Sequence, residues 1–353
     1  MMGIALRWWG VLALACGVAV LSGCADLSYL AQSVSGHLAV LRQARPVTDW
    51  VADPATPPAL RQRLALAQDL RNFAVRELHL PDNASYRRYA DLGRPAVVWN
   101  VVAAPELSLT LKTWCYPVMG CAGYRGYFDR AQANQAADAL RAQGLDVTVY
   151  GVPAYSTLGW SNWIGGDPLL NTFVLGSEAE LARLVFHELA HQVAFAPGDT
   201  TFNESFATAV ERVGLLRWQA ASGRLGENAA RVARRQDFRA LFGLARADLA
   251  RLYASDLPDA DKRVAKAERL AALRQAHAAL KAGAWGGDAS YDAWFAGANN
   301  AGLGLLRAYD AQVPNFLALL DRLGSDLPRF YTQVQRLAAL PAEQRQAKLG
   351  PAP

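Results

Sequence analysis

The stretch LVFHELAHQVAFAPGDTTFNESFATAVERVG, residues 184–214, contains the pattern His-Glu-x-x-His followed by an Asn-Glu pair. His187 and His191 are four residues apart, so in a helix both imidazoles leave the same face and can bind one metal ion. Glu188 follows the first histidine and suits the role of a general base rather than that of a ligand. The pattern therefore predicts a metal-dependent hydrolytic site.

The third ligand that we predict is Glu204, which stands near the start of a second helical segment, where its carboxylate can face back to the histidines. Two imidazoles and one carboxylate are a ligand set of catalytic zinc, so we expect one zinc ion. Glu211 lies two turns further along and is placed to accept a hydrogen bond from a ligand histidine. A metzincin site is excluded, because the glycine and the third ligand that it requires are replaced. Asp199 remains an alternative third ligand.

Composition and charge narrow the class of protein. The chain has 353 residues, 52% of them hydrophobic, and a mean hydropathy of +0.03, which indicates a globular body with a sizeable core. The net charge of +5 comes from basic residues spread along the chain. Because no basic stripe interleaved with aromatic residues occurs, we expect no binding of nucleic acid.

The N-terminus has the pattern of an export signal. Arg7 precedes an apolar run, residues 8–21, that is too short for a comfortable membrane span. The run ends in Leu-Ser-Gly-Cys, which resembles the bacterial lipobox. We expect a signal peptide over residues 1–23 and a lipid on Cys24 that anchors the protein in a membrane. Ala25 after the cysteine favours the outer membrane, with the protein facing the periplasm. The alternative is a plain signal peptide with an incidental cysteine.

Two cysteines remain for the mature protein. Cys115 and Cys121 flank a short segment that contains a proline and a glycine. Since exported proteins fold in an oxidising compartment, we expect these two cysteines to form a disulfide.

The order of predicted elements indicates an α+β fold, with a sheet-rich region over residues 95–176 and a helical region over residues 177–340. Residues 24–55 read as a tether and N-terminal segment, with a weakly patterned helix within residues 25–50, and residues 56–353 read as a single domain. The predicted strands and helices before the change-over are strands at 95–103, 106–114, 124–128, 146–152 and 168–175, and helices at 60–78 and 129–143.

The arrangement of motifs resembles that of known peptidases. The sequences HELAH at residue 187 and NESFA at residue 203, with Glu211 two turns later, resemble the gluzincin aminopeptidases, although the gap between the motifs is shorter. The shorter gap, the lipobox, CAGYRGYF at residue 121 and VPAYSTLGW at residue 152 together resemble a bacterial family of aminopeptidase-like lipoproteins. The resemblance implies a zincin-like helical half, a zinc ion and a peptide substrate.

The resemblance also implies groups that bind and activate the substrate. Peptidases of this kind pair the substrate with an edge strand, for which residues 154–159 are the candidate, and they use a tyrosine or histidine to stabilise the oxyanion. The alternative for residues 154–159 is a buried strand end. Tyr309 is our candidate for the donor and Tyr155 its competitor; the alternative for Tyr309 is a core tyrosine on a helix. Asp167 and Glu178 are candidates for binding a free α-amine.

The function predicted from the sequence is therefore that of a zinc metallopeptidase, and the resemblance favours an aminopeptidase. A zinc endopeptidase of envelope proteins is one alternative. Another is an envelope scaffold that keeps the helix but no longer turns over substrate. The presence of Glu188 disfavours the scaffold, because a site that only binds would not need a base.

Overall fold

The structure, a computed structural model, describes residues 29–116, 120–159, 162–223 and 229–350, with the side chains of residues 307–310 excepted. The strands are β1 (Arg45–Pro46), β2 (Arg88–Ala90), β3 (Val98–Pro105), β4 (Trp114–Tyr116), β5 (Gly120–Ala122), β6 (Arg125–Tyr127), β7 (Leu145–Val152) and β8 (Leu169–Leu170). The helices of the first half are α1 (29–43), α2 (Val47–Ala52), α3 (Pro58–Arg76), α4 (Arg130–Arg141) and α5 (Asn171–Val174).

Helices dominate the second half of the chain. They are α6 (Glu178–Ala190), α7 (Thr200–Ser222), α8 (Ala229–Tyr253), α9 (Asp259–Ala282), α10 (Asp292–Ala296), α11 (Asn300–Asp310), α12 (Val313–Arg322), α13 (Leu327–Ala338) and α14 (Ala342–Leu349). The predicted mixture of small sheets and a mostly helical second half is thus confirmed. No helix within the described ranges combines the length and the apolar character needed to cross a membrane.

The central strand of the largest sheet is β3, which pairs antiparallel with β6 on one side and β7 on the other. Its valines and alanines are buried along nearly its whole length, because α4 covers one face of the sheet and α11 packs on it as well. The predicted strands at 95–103 and 146–152 and the predicted helix at 129–143 are confirmed, with ends shifted by a few residues. Asp129 starts α4 by accepting a hydrogen bond from Gln132 N.

Two large apolar cores lie in the described chain. The main core joins α3, α6, α7, α12 and α13, and its largest buried side chains include Phe186, Phe206 and Phe330. The second core joins α8, α9 and α10 around Phe238 and Phe295. The helix α6, which carries the His-Glu-x-x-His motif, therefore packs in the main core.

The predicted strand at 106–114 is wrong for most of its length, since only Trp114–Tyr116 forms a strand. The alternation of leucines in this segment has another cause. Leu109 packs against the second core, and Leu111 packs against the small cluster formed by β3 and α11. The two leucines thus pack in different clusters and not on one face of a sheet. Their alternating spacing is therefore compatible with a segment that is not a strand.

One further expectation needs correction. Within the predicted strand at 168–175, only Leu169–Leu170 pairs, and α5 follows. Here the Asn171 side chain accepts from Leu92 N and donates to Arg94 O, which fixes a turn. The segment in which we expected a weakly patterned helix and a tether contains α1 and α2, which place Val40 and Val47 in the main core. The signal segment at residues 1–23 and Cys24 lie outside the described residues.

The structure joins Cys115 and Cys121 in a disulfide, at directly opposed positions of the β4–β5 hairpin. Gly120, at the end of this hairpin, has a positive φ of 73° and lies so close to Pro197 and Gly198 that a Cβ atom there would clash with their backbone. The hairpin therefore supports the loop between α6 and α7.

We expect thiol titration of the denatured, unreduced protein to detect neither Cys115 nor Cys121, because the disulfide removes both thiols. After reduction, the same titration should gain two thiols. The measurement is best made on the mature protein, whose remaining cysteine we expect to carry lipid. Two reactive thiols before reduction would contradict the disulfide.

Candidate metal centre

The helix α6 holds both motif histidines on one side. Its start is fixed by a capping box in which Glu180 N donates to Ser177 Oγ and the Glu180 carboxylate accepts from Ser177 N. One face of α6 is buried in the main core through residues such as Leu181 and Val185. The helix ends at Ala190, so the second histidine is its C-cap residue rather than an interior one.

The helix α7 brings the carboxylates to the histidines. Asn203 closes the loop between the two helices, since its side chain accepts from Ala196 N at 2.7 Å and donates to Ala196 O at 2.9 Å. Further along, a Cβ atom at Gly214 would meet the Phe186 ring at 2.7 Å, so α7 passes α6 at close range. The Asn203 hydrogen bonds and this close approach place Glu204 and Glu211 beside α6.

Asp199 does not point at the histidines. Its carboxylate caps α7 by accepting a hydrogen bond from Phe202 N at 3.0 Å, and it also binds Arg345. The sequence alternative in which Asp199 supplies the third ligand therefore has no support in the structure, because both partners hold this carboxylate elsewhere.

Three donor atoms converge between α6 and α7. His187 Nε2 lies 3.2 Å from His191 Nε2 and 3.2 Å from Glu204 Oε2, and His191 Nε2 lies 3.7 Å from the same oxygen. Ligands at about 2.0–2.1 Å in a tetrahedral site lie about 3.4 Å from one another. The three separations match that spacing. His187, His191 and Glu204 thus form a largely buried cluster that could hold a metal ion.

Glu211 orients the first histidine. Its Oε2 lies 3.0 Å from His187 Nδ1, which leaves Nε2 pointing into the cluster, and its Oε1 lies 3.5 Å from Arg183 Nη1. A carboxylate behind a ligand imidazole fixes the ring tautomer and its orientation. The structure therefore places Glu211 beside a histidine of the cluster, as the sequence predicts.

Burial and the carboxylates set the protonation of the two histidines. Burial opposes charge on His187, but its hydrogen bonds to Glu204 and Glu211 outweigh burial and raise the pKa of this imidazole well above its usual value. Burial lowers the pKa of His191 to about 4, so that imidazole is neutral and ready to bind a metal. Because a metal ligand must be unprotonated, a metal ion would have to displace the proton on His187. His191 Nδ1 is buried without a hydrogen-bond partner.

Glu188 differs from the other carboxylates of the site. Burial raises the pKa of Glu188 to about 7, although the charge of His187 opposes that rise. Among the described residues, we find no hydrogen bond or ion pair to its carboxylate. A carboxylate with such a pKa exchanges protons readily near neutrality, as a general base must.

The other predicted site residues fare differently. Tyr155 lies beside α1, where its hydroxyl contacts His37 Nδ1 at 2.5 Å, and residues 154–159 form a turn-containing loop rather than an edge strand. The loop is held by Asp167, whose carboxylate accepts from Thr157 N and Thr157 Oγ1. Tyr309 belongs to α11, but its side chain lies outside the described residues.

Neither candidate for binding an α-amine suits that role. Asp167 is 2% exposed and its carboxylate holds the 154–159 loop. Glu178 accepts a hydrogen bond from Trp218 Nε1 at 2.7 Å. It also stands nine residues before His187, which corresponds to about 13 Å along a helix. The structure therefore gives neither candidate support, because each carboxylate is held by another part of the chain.

Two tyrosines that the sequence did not single out lie within electrostatic reach of the site. Burial raises the pKa of Tyr124, and the nearby carboxylates of Glu204 and Glu188 raise it further. Burial and then Glu188 do the same to the pKa of Tyr86, which is 1% exposed and adopts a positive φ of 63°. The sequence offers twelve tyrosines and no pattern that ranks them, so only the fold could identify these two.

A cavity of about 1220 Å³ lies beside the turn that precedes α7, and its lining does not include His187, Glu188, His191 or Glu204. Tyr124 lines it, as do the Gly198–Thr201 turn before Glu204 and Gln312. Gln312 N donates to Ser205 Oγ, which ties this wall of the cavity to α7. Its volume exceeds that of typical small-molecule sites of about 300–1,000 Å³. Of the two tyrosines near the site, Tyr124 is the one that faces this space.

One family model matches the chain over residues 28–349, and its description is "Putative aminopeptidase". The chain belongs to this family. The match covers nearly the whole sequence, including α6 and α7 with the clustered histidines and carboxylates, and it supports assignment as a peptidase. Comparisons with curated proteins and with solved structures give no match.

Proposed function

We propose that this chain is a zinc-dependent aminopeptidase. The observation that carries the proposal is the convergence of His187 Nε2, His191 Nε2 and Glu204 Oε2 at mutual distances of 3.2–3.7 Å. Two ring nitrogens and one carboxylate oxygen, with a fourth position left for water or substrate, are the donor set of catalytic zinc. The family description supports a peptidase, and Glu188 beside the cluster supplies the base.

The residues around the cluster divide the chemistry between them. When bound, zinc would act as a Lewis acid on the peptide carbonyl and the attacking water. Glu188 takes the proton from that water and delivers it to the leaving amine. Glu211 holds the His187 ring in place through Nδ1. Tyr124, which interacts electrostatically with Glu204 and Glu188, donates a hydrogen bond to the oxyanion as it forms.

Metal analysis of the purified protein, followed by a panel of aminoacyl anilides, tests the proposal. We expect one zinc ion per chain, and hydrolysis of at least one anilide that stops when zinc is chelated and returns when zinc is restored. Zinc without hydrolysis of any anilide or peptide would favour the scaffold. No bound zinc in protein that is folded and supplied with the ion would remove the proposal altogether.

A zinc endopeptidase is the second candidate. The observation that favours it is that other parts of the chain already hold the carboxylates of Asp167 and Glu178, the two candidates for binding a terminal amine. One peptide with a free N-terminus and the same peptide with an acetylated N-terminus distinguish the candidates. Cleavage of only the free form supports the aminopeptidase, whereas equal cleavage of both supports the endopeptidase.

Tyr124→Phe should lower kcat by about 10²–10³-fold, because one donor to the oxyanion is lost while the ring keeps its packing. KM should change little, since the hydrogen bond forms with the transition state more than with the substrate. Steady-state kinetics on the best anilide measure both constants. Tyr155→Phe is the matched control, and we expect kcat near the parent value. A full loss in Tyr155→Phe with none in Tyr124→Phe would reverse the assignment.

Glu211→Gln should weaken zinc binding by about 10–100-fold, because the amide supports the His187 ring less well than the carboxylate does. Competition with a chelator of known affinity measures the change. The substitution also removes the charge that faces Arg183. Arg183→Gln therefore serves as the control for that ion pair, and zinc affinity equally weakened in both variants would point to the ion pair instead.

We also propose that the mature protein carries lipid on Cys24 and resides in the outer membrane, facing the periplasm. The support is the Leu-Ser-Gly-Cys sequence after the apolar run, with Ala25 following it. Metabolic labelling with a fatty acid tests the lipid, and Cys24→Ser should lose the label. Fractionation of inner and outer membranes tests the location.

A further inference from the structure

The first described helix, α1, exposes apolar side chains on its outward face. Leu30, Val34 and Leu38 recur every four residues along α1 and are 43%, 60% and 37% exposed. Residues spaced by four share one face of a helix, so the three side chains form an outward apolar stripe. The neighbouring outward positions hold Ala31, Ser35 and Ala39, and no Asp, Glu, Lys or Arg occurs between Leu30 and Leu41.

The side of α1 that faces the protein is polar at Gln32, Ser33 and His37 and becomes apolar only near its end, where Val40 and Leu41 are buried. The Gln32 side chain donates to Gly126 O and accepts from Phe128 N, both at 3.2 Å. His37 contacts the Tyr155 hydroxyl, and Gly36 lies directly against the Phe128 ring. A helix that only needed to pack on the protein would turn its leucines inward. The outward stripe therefore indicates that α1 also contacts an apolar surface that is not part of the described protein.

Two exposed side chains near the end of α1, those of Trp163 and Arg42, also suit contact with a membrane. Arg88 donates to Ile164 O and also to the Leu41 and Ala44 carbonyls, so the loop after residue 161 lies at the C-terminal end of α1. Trp163 in this loop is 84% exposed, and tryptophan favours the interface between lipid and water. The exposed Arg42 follows the stripe and can approach anionic headgroups.

The sequence places this surface close to a bilayer. Cys24 and Leu30 are separated by six residue steps, which can span at most about 22 Å even when fully extended. An acyl chain on Cys24 would therefore keep the start of α1 within that distance of the headgroups. A helix without Asp, Glu, Lys or Arg from Leu30 to Leu41, held there, has its outward leucines available to the acyl boundary, where amphipathic helices insert by about 5–10 Å.

We propose that α1 is a membrane-docking helix whose Leu30, Val34 and Leu38 insert into the bilayer that holds the lipid on Cys24. The proposal rests on the proposed lipid anchor but not on zinc or peptidase activity. Docking fixes the orientation of the body relative to the bilayer. It also explains why, within the described residues, the outward side of α1 is left uncovered.

Quenching of a fluorophore by brominated lipid tests the docking. The mature lipidated protein, with Ala31→Cys labelled, is reconstituted into vesicles of phosphatidylethanolamine and phosphatidylglycerol with brominated acyl chains. Cys115 and Cys121 are joined and Cys24 is acylated, so the introduced cysteine is the reactive one. We expect strong quenching at residue 31, and none when the label is placed instead at Leu244→Cys on α8.

Two sets of substitutions make the test specific. In the first, Leu30, Val34 and Leu38 are replaced by serine, and quenching at residue 31 should be lost while the protein stays on the vesicles. The matched set replaces Leu216, Leu244 and Val264, which are equally apolar and 67%, 67% and 61% exposed. That set should leave quenching at residue 31 unchanged. Hydrolysis of the best anilide in detergent should be the same in both sets.

The outcomes separate the premise from the proposal. Protein that fails to sediment with the vesicles would remove the lipid anchor and the docking with it. Protein that sediments with an unquenched label at residue 31 would overturn the docking alone, because the stripe would then face solvent or a second copy of the chain. Equal quenching at residues 31 and 244 would also overturn it, since contact would not be specific to α1.

Discussion

Glu188→Gln should lower turnover by about 10²–10⁴-fold while the protein still binds one zinc ion. Glutamine has nearly the size of glutamate but cannot accept the proton from the attacking water, and a positioned general base contributes about that factor. Zinc binding should persist, because Glu188 is not among the three converging donors. Steady-state kinetics on the best anilide and metal analysis of the same preparation measure the two results together.

Glu178→Gln is the matched control for this prediction. It makes the same chemical change in the same helix, and its amide oxygen can still accept the hydrogen bond from Trp218 Nε1. We expect turnover close to the parent value. Because Glu178 was also a candidate for binding the α-amine, a large rise of KM in this control would restore that role. Parent-like turnover in Glu188→Gln would refute the base assignment.

The same variant separates an enzyme from a scaffold. A scaffold has no turnover to lose, so Glu188→Gln would leave its behaviour unchanged. The buried environment that raises the pKa of Glu188 to about 7 is a cost to folding at neutral pH if the residue does nothing, since glutamine would fit there without it. That cost is the physical reason to expect a chemical role for this carboxylate.

The metal site was the most predictable part of the molecule. His187 and His191 follow from the period of a helix, and the capping box at Ser177 fixes where that helix starts. Glu204 could be selected because it stands near the start of the second helical segment, from which a carboxylate can face back to the histidines. What the sequence could not show was the role of Asn203, whose two hydrogen bonds to Ala196 turn α7 back towards α6. Such a contact depends on the shape of a loop rather than on a pattern.

The substrate side of the site was the least predictable. Tyr124 follows the disulfide hairpin in sequence, and only the packing of that hairpin against Pro197–Gly198 brings it near Glu204. Tyr155 was chosen from a segment that we expected to be a strand, but Asp167 holds this segment as a loop. In both cases the deciding contacts join residues that are far apart in the chain, and local patterns do not report them.

Removal of a ligand should have the largest effect of any substitution that we predict. His191→Ala should lose zinc at micromolar concentrations of the ion, and turnover should fall to the background rate. The reason is that two remaining donors cannot hold the ion against water in a site built for three. Equilibrium dialysis and kinetics at rising zinc concentration measure the effect, and circular dichroism checks that α6 remains folded. His79→Asn is the control, since this histidine is exposed and asparagine tolerates its positive φ of 52°.

Glu204 and Asp199 are the two candidates for the third ligand, so the test needs a variant of each. Glu204→Gln should lose most of the zinc, because a neutral amide oxygen replaces the carboxylate that lies 3.2 Å from His187 Nε2. Asp199→Asn should keep the zinc, because its amide oxygen can still cap α7 at Phe202 N. The opposite result, with zinc lost only in Asp199→Asn, would show that the loop between α6 and α7 rearranges when the ion binds. In that case the convergence of Glu204 with the histidines would not describe the zinc-bound enzyme.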